Sequence, residues 1–204
     1  MKKIIIAPML ILFLAGCYPQ GPDYAEDADV VYTTFEETYD FNAKSTYAMP
    51  DKIVTDVKID RGDTTYEYMN DKFAVQIFES IEENMTASGY TRVDVDNDPD
   101  LLLTPAAISS TTYFYSYWYD WWYGGYWGGW GWYYPPYYTV SSYTTGTMLI
   151  VLADPNQASD SPINRSQALW VAAINGLATY SYNVSRITNG IDQAFDQSGY
   201  LKTN

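Results

Sequence analysis

The chain of 204 residues has no histidine, one cysteine, and 11 Lys+Arg against 25 Asp+Glu. Without histidine it lacks the side chain most used for general acid–base work and for binding transition metals. The lone cysteine, Cys17, excludes an intramolecular disulfide and a thiolate metal site. The cations are few and unclustered, which argues against a nucleic-acid partner, since phosphate binding is driven by grouped Lys and Arg. Long apolar runs are also missing. Beyond Cys17 the longest are Met148 to Ala153 and Ala168 to Ile174, far short of the roughly 20 residues of a transmembrane helix.

What is present begins with an address. Lys2 and Lys3 precede an apolar run of 11 residues, Ile4 to Leu14, which has the length of an export signal. Leu14-Ala15-Gly16-Cys17 then matches the bacterial lipobox, whose cysteine thiol accepts a diacylglyceryl group before cleavage and acylation of the new amino terminus. Two or three acyl chains suffice for stable anchoring. Residues 1–16 are therefore expected to be a signal peptide, with Cys17 the lipidated residue. Tyr18 after the cysteine carries no inner-membrane retention signal, so the expected location is the bacterial cell envelope, at the outer membrane. Residues 17–29, with two prolines and four acidic residues, read as a tether, and 30–204 as one domain.

The chain contains 36 aromatic residues, and 18 of them fall between Tyr113 and Tyr143 with six of the seven tryptophans, five glycines and one charge, Asp120. No Leu, Ile or Met occurs there, so the stretch lacks the varied aliphatic shapes of a core. At about 150–250 Å² per ring it presents some 2,700–4,500 Å², several times the apolar patch of about 300–600 Å² usual on a monomer. Tyr113, Tyr115, Tyr117 and Tyr119 alternate with Phe114, Ser116 and Trp118, Gly124 to Trp132 is glycine-spaced, and Pro135-Pro136 blocks ordinary pairing. A long aromatic hairpin inserted in the domain is the expected form. Its candidate ligand-binding residues are Tyr115, Trp118, Trp121, Trp122, Tyr126, Trp127, Trp130, Trp132 and Tyr134.

Around this stretch the pattern is mixed. Val30–Phe35 and Ser45–Met49 read as strands, and 51–63 as a further extended stretch closed by the Arg61-Gly62-Asp63 turn. A helix is expected over Thr64–Ser88: Thr64 and Glu67 have capping-box spacing, Met69, Phe73, Ile77 and Ile81 form a stripe, and Gly89 stops it. Tyr90–Val95 and Leu101–Thr104 read as strands around the acidic run Asp94, Asp96, Asp98 and Asp100. A calcium loop in that run would need Gly at its sixth position and Glu at its twelfth, and Pro99 and Pro105 stand there instead. Thr144–Ala153 is apolar on both faces from Met148 onward and should be a central strand, followed by a polar loop over 154–164. Ser166–Tyr182 mixes helical and strand patterns and is read as a strand. Val184–Ser198 reads as a helix capped by Asn183, with Val184, Ile187, Ile191, Ala194 and Phe195 inward. Both helices end in Ser-Gly-Tyr, at Ser88-Gly89-Tyr90 and Ser198-Gly199-Tyr200, which suggests shared stop chemistry.

This order of features resembles the bacterial lipoproteins grouped as domain of unknown function 4136. The likeness is carried by the lipobox, Ser45-Thr46-Tyr47-Ala48, Ala87-Ser88-Gly89-Tyr90, Asp98-Pro99-Asp100-Leu101-Leu102-Leu103, the Tyr/Trp/Gly-rich segment, Gly146-Thr147-Met148-Leu149-Ile150-Val151 and Leu169-Trp170. The resemblance implies an α+β domain in which a mostly antiparallel sheet packs against two helices, with Leu169-Trp170 on a strand. Members of the family often follow the Asp of the central strand with a short turn and Trp-x-Gly; here Asp154 precedes a longer loop, and Val171-Ala172 follow Trp170.

The residues point to a non-catalytic envelope protein that needs no cofactor or metal. The membrane would be met through the lipid, and a glycan or an envelope protein through the rings, since Tyr and Trp give large contact area at low entropic cost. An alternative is a structural or assembly lipoprotein whose aromatic segment self-associates into a homo-oligomer. A glycan-active enzyme ranks third: it needs two facing carboxylates, and Asp120 is the only acid among the rings, so a second would come from Asp94 to Asp100 or from Asp154. No Ser-x-x-Lys offers another base.

Overall fold

The computed structural model describes residues 30–60, 63–108, 146–158, 166–175 and 184–203. Its strands are β1 (Val31–Phe35), β2 (Thr46–Ala48), β3 (Val54–Asp60), β4 (Asp63–Tyr68), β5 (Thr91–Arg92), β6 (Leu101–Ile108), β7 (Thr147–Ala158) and β8 (Ser166–Ile174); its helices are α1 (Asp71–Ala87) and α2 (Val184–Asp196). The strands form one sheet in the order β1-β8-β7-β6-β2-β5, with the β3–β4 hairpin joined through β3 to β6. Pairing is antiparallel along β1-β8-β7-β6 and between β3 and β4, and parallel where β2 and β3 meet β6 and where β2 meets β5. The α+β class and the central place of β7 agree with the sequence reading.

Helix α1 presents Ala74, Ile77, Ile81 and Met85 to the sheet, and α2 presents Ile187, Ile191, Ala194 and Phe195. These join Leu101 and Leu103 of β6, Met148, Ile150 and Leu152 of β7, and Trp170, Ala172 and Ile174 of β8 in one core. Trp170, the tryptophan outside the aromatic stretch, is fully buried. Its indole N–H donates to Ser198 Oγ at 3.0 Å, and that hydroxyl also meets the Tyr200 hydroxyl at 3.1 Å.

The helix over Thr64–Ser88 is corrected at its start. Residues 63–68 form β4, paired back onto β3 with Ile59 opposite Thr64 and Val57 opposite Tyr66. The β-branched and aromatic character of Thr64, Thr65, Tyr66 and Tyr68 favours the strand, so Thr64 and Glu67 share spacing but no cap. Asn70 caps α1 instead, its side chain accepting from the Lys72 N–H at 3.0 Å. Met69 is buried but precedes the helix, and its N–H donates to the Ile53 carbonyl at 2.8 Å. Its spacing to Phe73 made the stripe look one turn longer than it is.

Three further boundaries move. The strand expected over Tyr90–Val95 shrinks to β5, and Val95–Asn97 form a 3₁₀ turn. Strand β6 runs on to Ile108 through Pro105, which the sheet tolerates because β2 leaves β6 after Leu102 and β3 joins it at Ala106; the missing N–H falls at that handover. Strand β7 continues through Ala158, so the polar loop expected from residue 154 begins as extended chain. Strand β8 confirms the strand reading up to Ile174; residues 176–183, including the proposed cap Asn183, lie outside the described residues.

The mixed pattern in β8 has a physical source. Leu152 pairs with Trp170 but Ala153 pairs with Ala168, so Leu169 is an extra residue in a β-bulge. Leu169 and Trp170 both join the helix-side core, and this breaks the period-2 alternation that a strand normally shows. The two Ser-Gly-Tyr stops also differ. Gly89 sits at φ +96, with the Tyr90 N–H on the Met85 carbonyl and the Gly89 N–H on the Thr86 carbonyl, each at 3.0 Å, a Schellman stop. Gly199 opens a 3₁₀ turn over Gly199–Leu201 without a left-handed φ.

Gly190 sets how closely α2 approaches the sheet, because a Cβ there would collide with Ile174 Cγ2. Alanine is the better helix former by about 1 kcal/mol, but forcing a methyl into a filled contact costs about 1–3 kcal/mol. Gly190→Ala is therefore expected to lower stability in chemical denaturation; a gain near 1 kcal/mol would show that the helix–sheet contact is slack.

Candidate functional site

One end of the sheet collects the features on which the functional reading rests. Ile108, the last residue of β6, pairs with Thr147, the first of β7, so both ends of residues 109–145 attach to neighbouring central strands. Val31 pairs with Ile174, and the Asn175 N–H donates to the Val30 carbonyl at 3.0 Å, which brings the start of the domain to the same end. Strand β3 runs parallel to β6 with Val54 opposite Ala106, so the β3–β4 hairpin projects past Ile108 in that direction. Large exposed apolar residues flank this end: Val30 is 57%, Tyr32 49% and Tyr68 43% exposed.

The sequence-derived site residues themselves, Tyr115, Trp118, Trp121, Trp122, Tyr126, Trp127, Trp130, Trp132 and Tyr134, lie outside the described residues, as do Cys17 and Asp120. The structure fixes the attachment points. The 13 residues 17–29 would reach about 45 Å at most if fully extended.

At the opposite end lie the acids considered for catalysis. Asp154 follows Ala153, which pairs with Leu102 near the start of β6; that is about 20 Å along the strands from Ile108. Asp154 is 4% exposed. Its Oδ2 accepts from the Tyr39 hydroxyl and from Lys44 Nζ, each at 2.8 Å, and its Oδ1 from the Asn156 backbone N–H at 2.7 Å. Burial, and then the Asp154 hydrogen bond and charge, push the Tyr39 phenol far above its ordinary value, so it remains a donor.

Asp100 serves as a second latch. Its Oδ2 accepts from the backbone N–H of Ser45 and of Thr46, each at 2.9 Å, and from the hydroxyls of Thr46 at 2.9 Å and Ser45 at 3.3 Å. Burial raises its pKa, but the Ser45 and Thr46 donors and the Lys44 charge outweigh this and hold it below 3.8. A glycosidase acid requires the reverse, a carboxyl kept protonated near neutrality. Asp94, Asp96 and Asp98 are exposed around the 3₁₀ turn, Asp98 at φ 53. Among the described residues no group of three or more His, Cys, Asp or Glu could hold a metal ion, and no helix is long and apolar enough to cross a membrane. The buried Asp154 and the half-buried Asp100 tie residues 39–46 to β7 and to the residue before β6.

Sequence reasoning missed Tyr39 and Lys44 as partners of Asp154. The available signal was a charged residue directly after an apolar run that had to be buried, which demands a counter-charge. With its folded pKa depressed, Asp100 contributes stability above the unfolded carboxyl range that is lost as pH falls through the folded value. The acid limb of a melting-temperature profile is expected to be shallower in Asp100→Asn than in the parent. Asp154→Ala, which strands Lys44 and Tyr39, is expected to cost about 2–4 kcal/mol in denaturant unfolding, the lower part because Lys44 retains some solvent. A loss under 0.5 kcal/mol would show that the latch is dispensable.

Comparison with known proteins agrees with this fold. The profile of the family described as Domain of unknown function (DUF4136) matches residues 31–199. The crystal structure of a DUF4136 family protein from Bacteroides thetaiotaomicron superposes with a TM-score of 0.67 at 29% identity, covering 86% of this chain and 98% of that one. Two PelC dodecamer structures from Paraburkholderia phytofirmans align over 86% of this chain and 98% and 99% of theirs, at 12% and 9% identity and TM-scores of 0.42 and 0.39. No curated protein matches the sequence. With the family profile spanning the domain from β1 to the turn after α2, the chain belongs to the DUF4136 family.

Proposed function

We propose that this protein is a non-catalytic, lipid-anchored envelope protein that binds an envelope protein or glycan through its Tyr/Trp/Gly-rich segment. The observation that carries this reading is the convergence at one sheet end: the start of the domain, both attachment points of residues 109–145, and the exposed Val30, Tyr32 and Tyr68. A segment tied at both ends to central strands has a rigid base, which lowers the ordering cost of engaging a partner. Flat rings with few charges suit sugar faces and apolar grooves, and Gly lets the chain conform. Lipidation of Cys17 would place this end toward the membrane, with the outer membrane as the proposed location. At the far end the buried Asp154 and the partly exposed Asp100 are engaged in structural contacts, which supports a binding role over hydrolysis.

Two experiments test this. Cys17→Ser is expected to move the protein from the membrane to the soluble envelope fraction; retention at the membrane would remove lipidation from the account. Replacing residues 113–143 by a short Gly/Ser linker is expected to abolish capture of envelope proteins or glycans while the β1–α2 fold persists by circular dichroism. Unchanged capture by the folded deletion would overturn the reading. Mass that rises with concentration in light scattering, and only when the segment is present, would favour self-association instead.

A further inference from the structure

Residues 197–203, which follow α2, touch β1, β8, the end of α1 and the 3₁₀ turn at Phe41. The Gln197 side-chain amide donates to Thr33 Oγ1 at 3.1 Å and to the Val31 carbonyl at 3.4 Å, both on β1. The Tyr200 ring stacks on Phe35 of the same strand, with centroids 3.6 Å apart and planes at 18°, and lies tilted against Phe41 at 6.3 Å. Ser198 Oγ ties the segment to Trp170 of β8. The Thr203 N–H and hydroxyl both donate to the Ser88 carbonyl at the end of α1, at 2.9 and 3.3 Å. Gly89 leaves room for that contact, because a Cβ there would collide with Thr203 Oγ1.

The two sides of this contact are unequally held. Ser198 and Leu201 are each 1% exposed, and Leu201 belongs to the core, so the segment is rooted in the body of the domain. None of the five residues of β1 is buried, and among the described residues the strand pairs with β8 alone. Just beyond β1, Glu37 and Thr38 form an exposed turn, with the Tyr39 N–H on the Glu36 carbonyl at 3.1 Å. Past that turn Tyr39 and Lys44 are fixed on Asp154. Strand β1 therefore lies between a ring that holds it and a turn about which it can swing.

We propose that β1 is a detachable edge strand, hinged at residues 36–38 and held shut by the Phe35–Tyr200 stack and by Gln197. Local opening selects elements with little buried surface, and the ring pair supplies the hold that the strand's own half-exposed side chains lack. Release would bare the backbone groups of Leu169, Val171 and Ala173 along β8, which now face β1. Such a row of open N–H and C=O groups can pair with another extended chain. Strands β6 and β7 and both helices keep their own contacts in the opened form. The proposal does not depend on the binding reading of the aromatic segment, and either can fail alone.

Amide hydrogen exchange in the Cys17→Ser chain tests this. Tyr32 and Thr34, whose N–H groups point at β8, are expected to exchange about 10- to 30-fold faster in Tyr200→Ala, with Leu149 and Val151 of β7 unchanged. Tyr200→Phe keeps the stack and should stay within about 3-fold of the parent; an effect as large as alanine's would contradict the stack as the catch. Unchanged exchange of Tyr32 and Thr34 in Tyr200→Ala would mean that something else holds β1. Equal acceleration in β7 would mean that β1 opens only when the whole domain unfolds. Either result overturns the proposal. Should Tyr200→Ala fail to fold, Gln197→Ala removes only an exposed contact and is expected to speed the same two amides about 3-fold, again without β7; no change there contradicts the proposal.

Discussion

The structure depends on three strands that are apolar on both faces. β6, β7 and β8 have no solvent side, so the hydrophobic effect demands a layer above and a layer below them. The two helices provide one layer, set close to the sheet by Gly190 and closed by Trp170 against Ser198 and Phe195. The rest of the molecule arranges itself around this slab. The β3–β4 hairpin and β2 share the free side of β6, and the segment around Tyr39 and Lys44 is clamped to the slab by two carboxylates, the buried Asp154 and the half-buried Asp100.

Those clamps divide the molecule into two ends with different duties. At one end both Asp154 oxygens and Asp100 Oδ2 accept from protein donors, and the Tyr39 phenol is held protonated by burial and by its acidic neighbour. Such a network gives fixity. At the other end the backbone of β6 and β7 opens into the aromatic segment, beside the first residue of the domain. The rigid end holds the slab in register while the other end holds the apolar surface, a division common where binding residues sit on connections carried by a fixed scaffold.

Much of this fold was legible because its signals were redundant. The apolar run Met148–Ala153 could only be a central strand, and the α2 stripe of Ile187, Ile191, Ala194 and Phe195 had one consistent helical face. The Thr64 error arose where two patterns overlapped: a capping-box spacing and the position of Met69 extended a real stripe into residues whose β-branched and aromatic side chains paired with β3. The bulge at Leu169 blurred the alternation of a stretch still read as a strand, by turning two successive side chains inward, a feature that depends on a partner strand and so has no local signature. For the same reason the Asp154–Lys44–Tyr39 network could not be read from spacing, since Asp154 lies more than a hundred positions from both its partners. The candidate site was legible as composition alone, and the structure adds where its two ends are held.

The central claim is that more ring area is gathered in one segment than its own domain can hide. Acrylamide quenching of tryptophan emission in the monomeric Cys17→Ser protein tests this directly. Six of seven tryptophans lie in the segment, and Trp170 is fully buried. The account expects a majority of the emission to be readily quenched and a minority, including Trp170, to be protected. Uniform protection of all tryptophans in a monomer would contradict it, because no apolar surface would then remain for a partner.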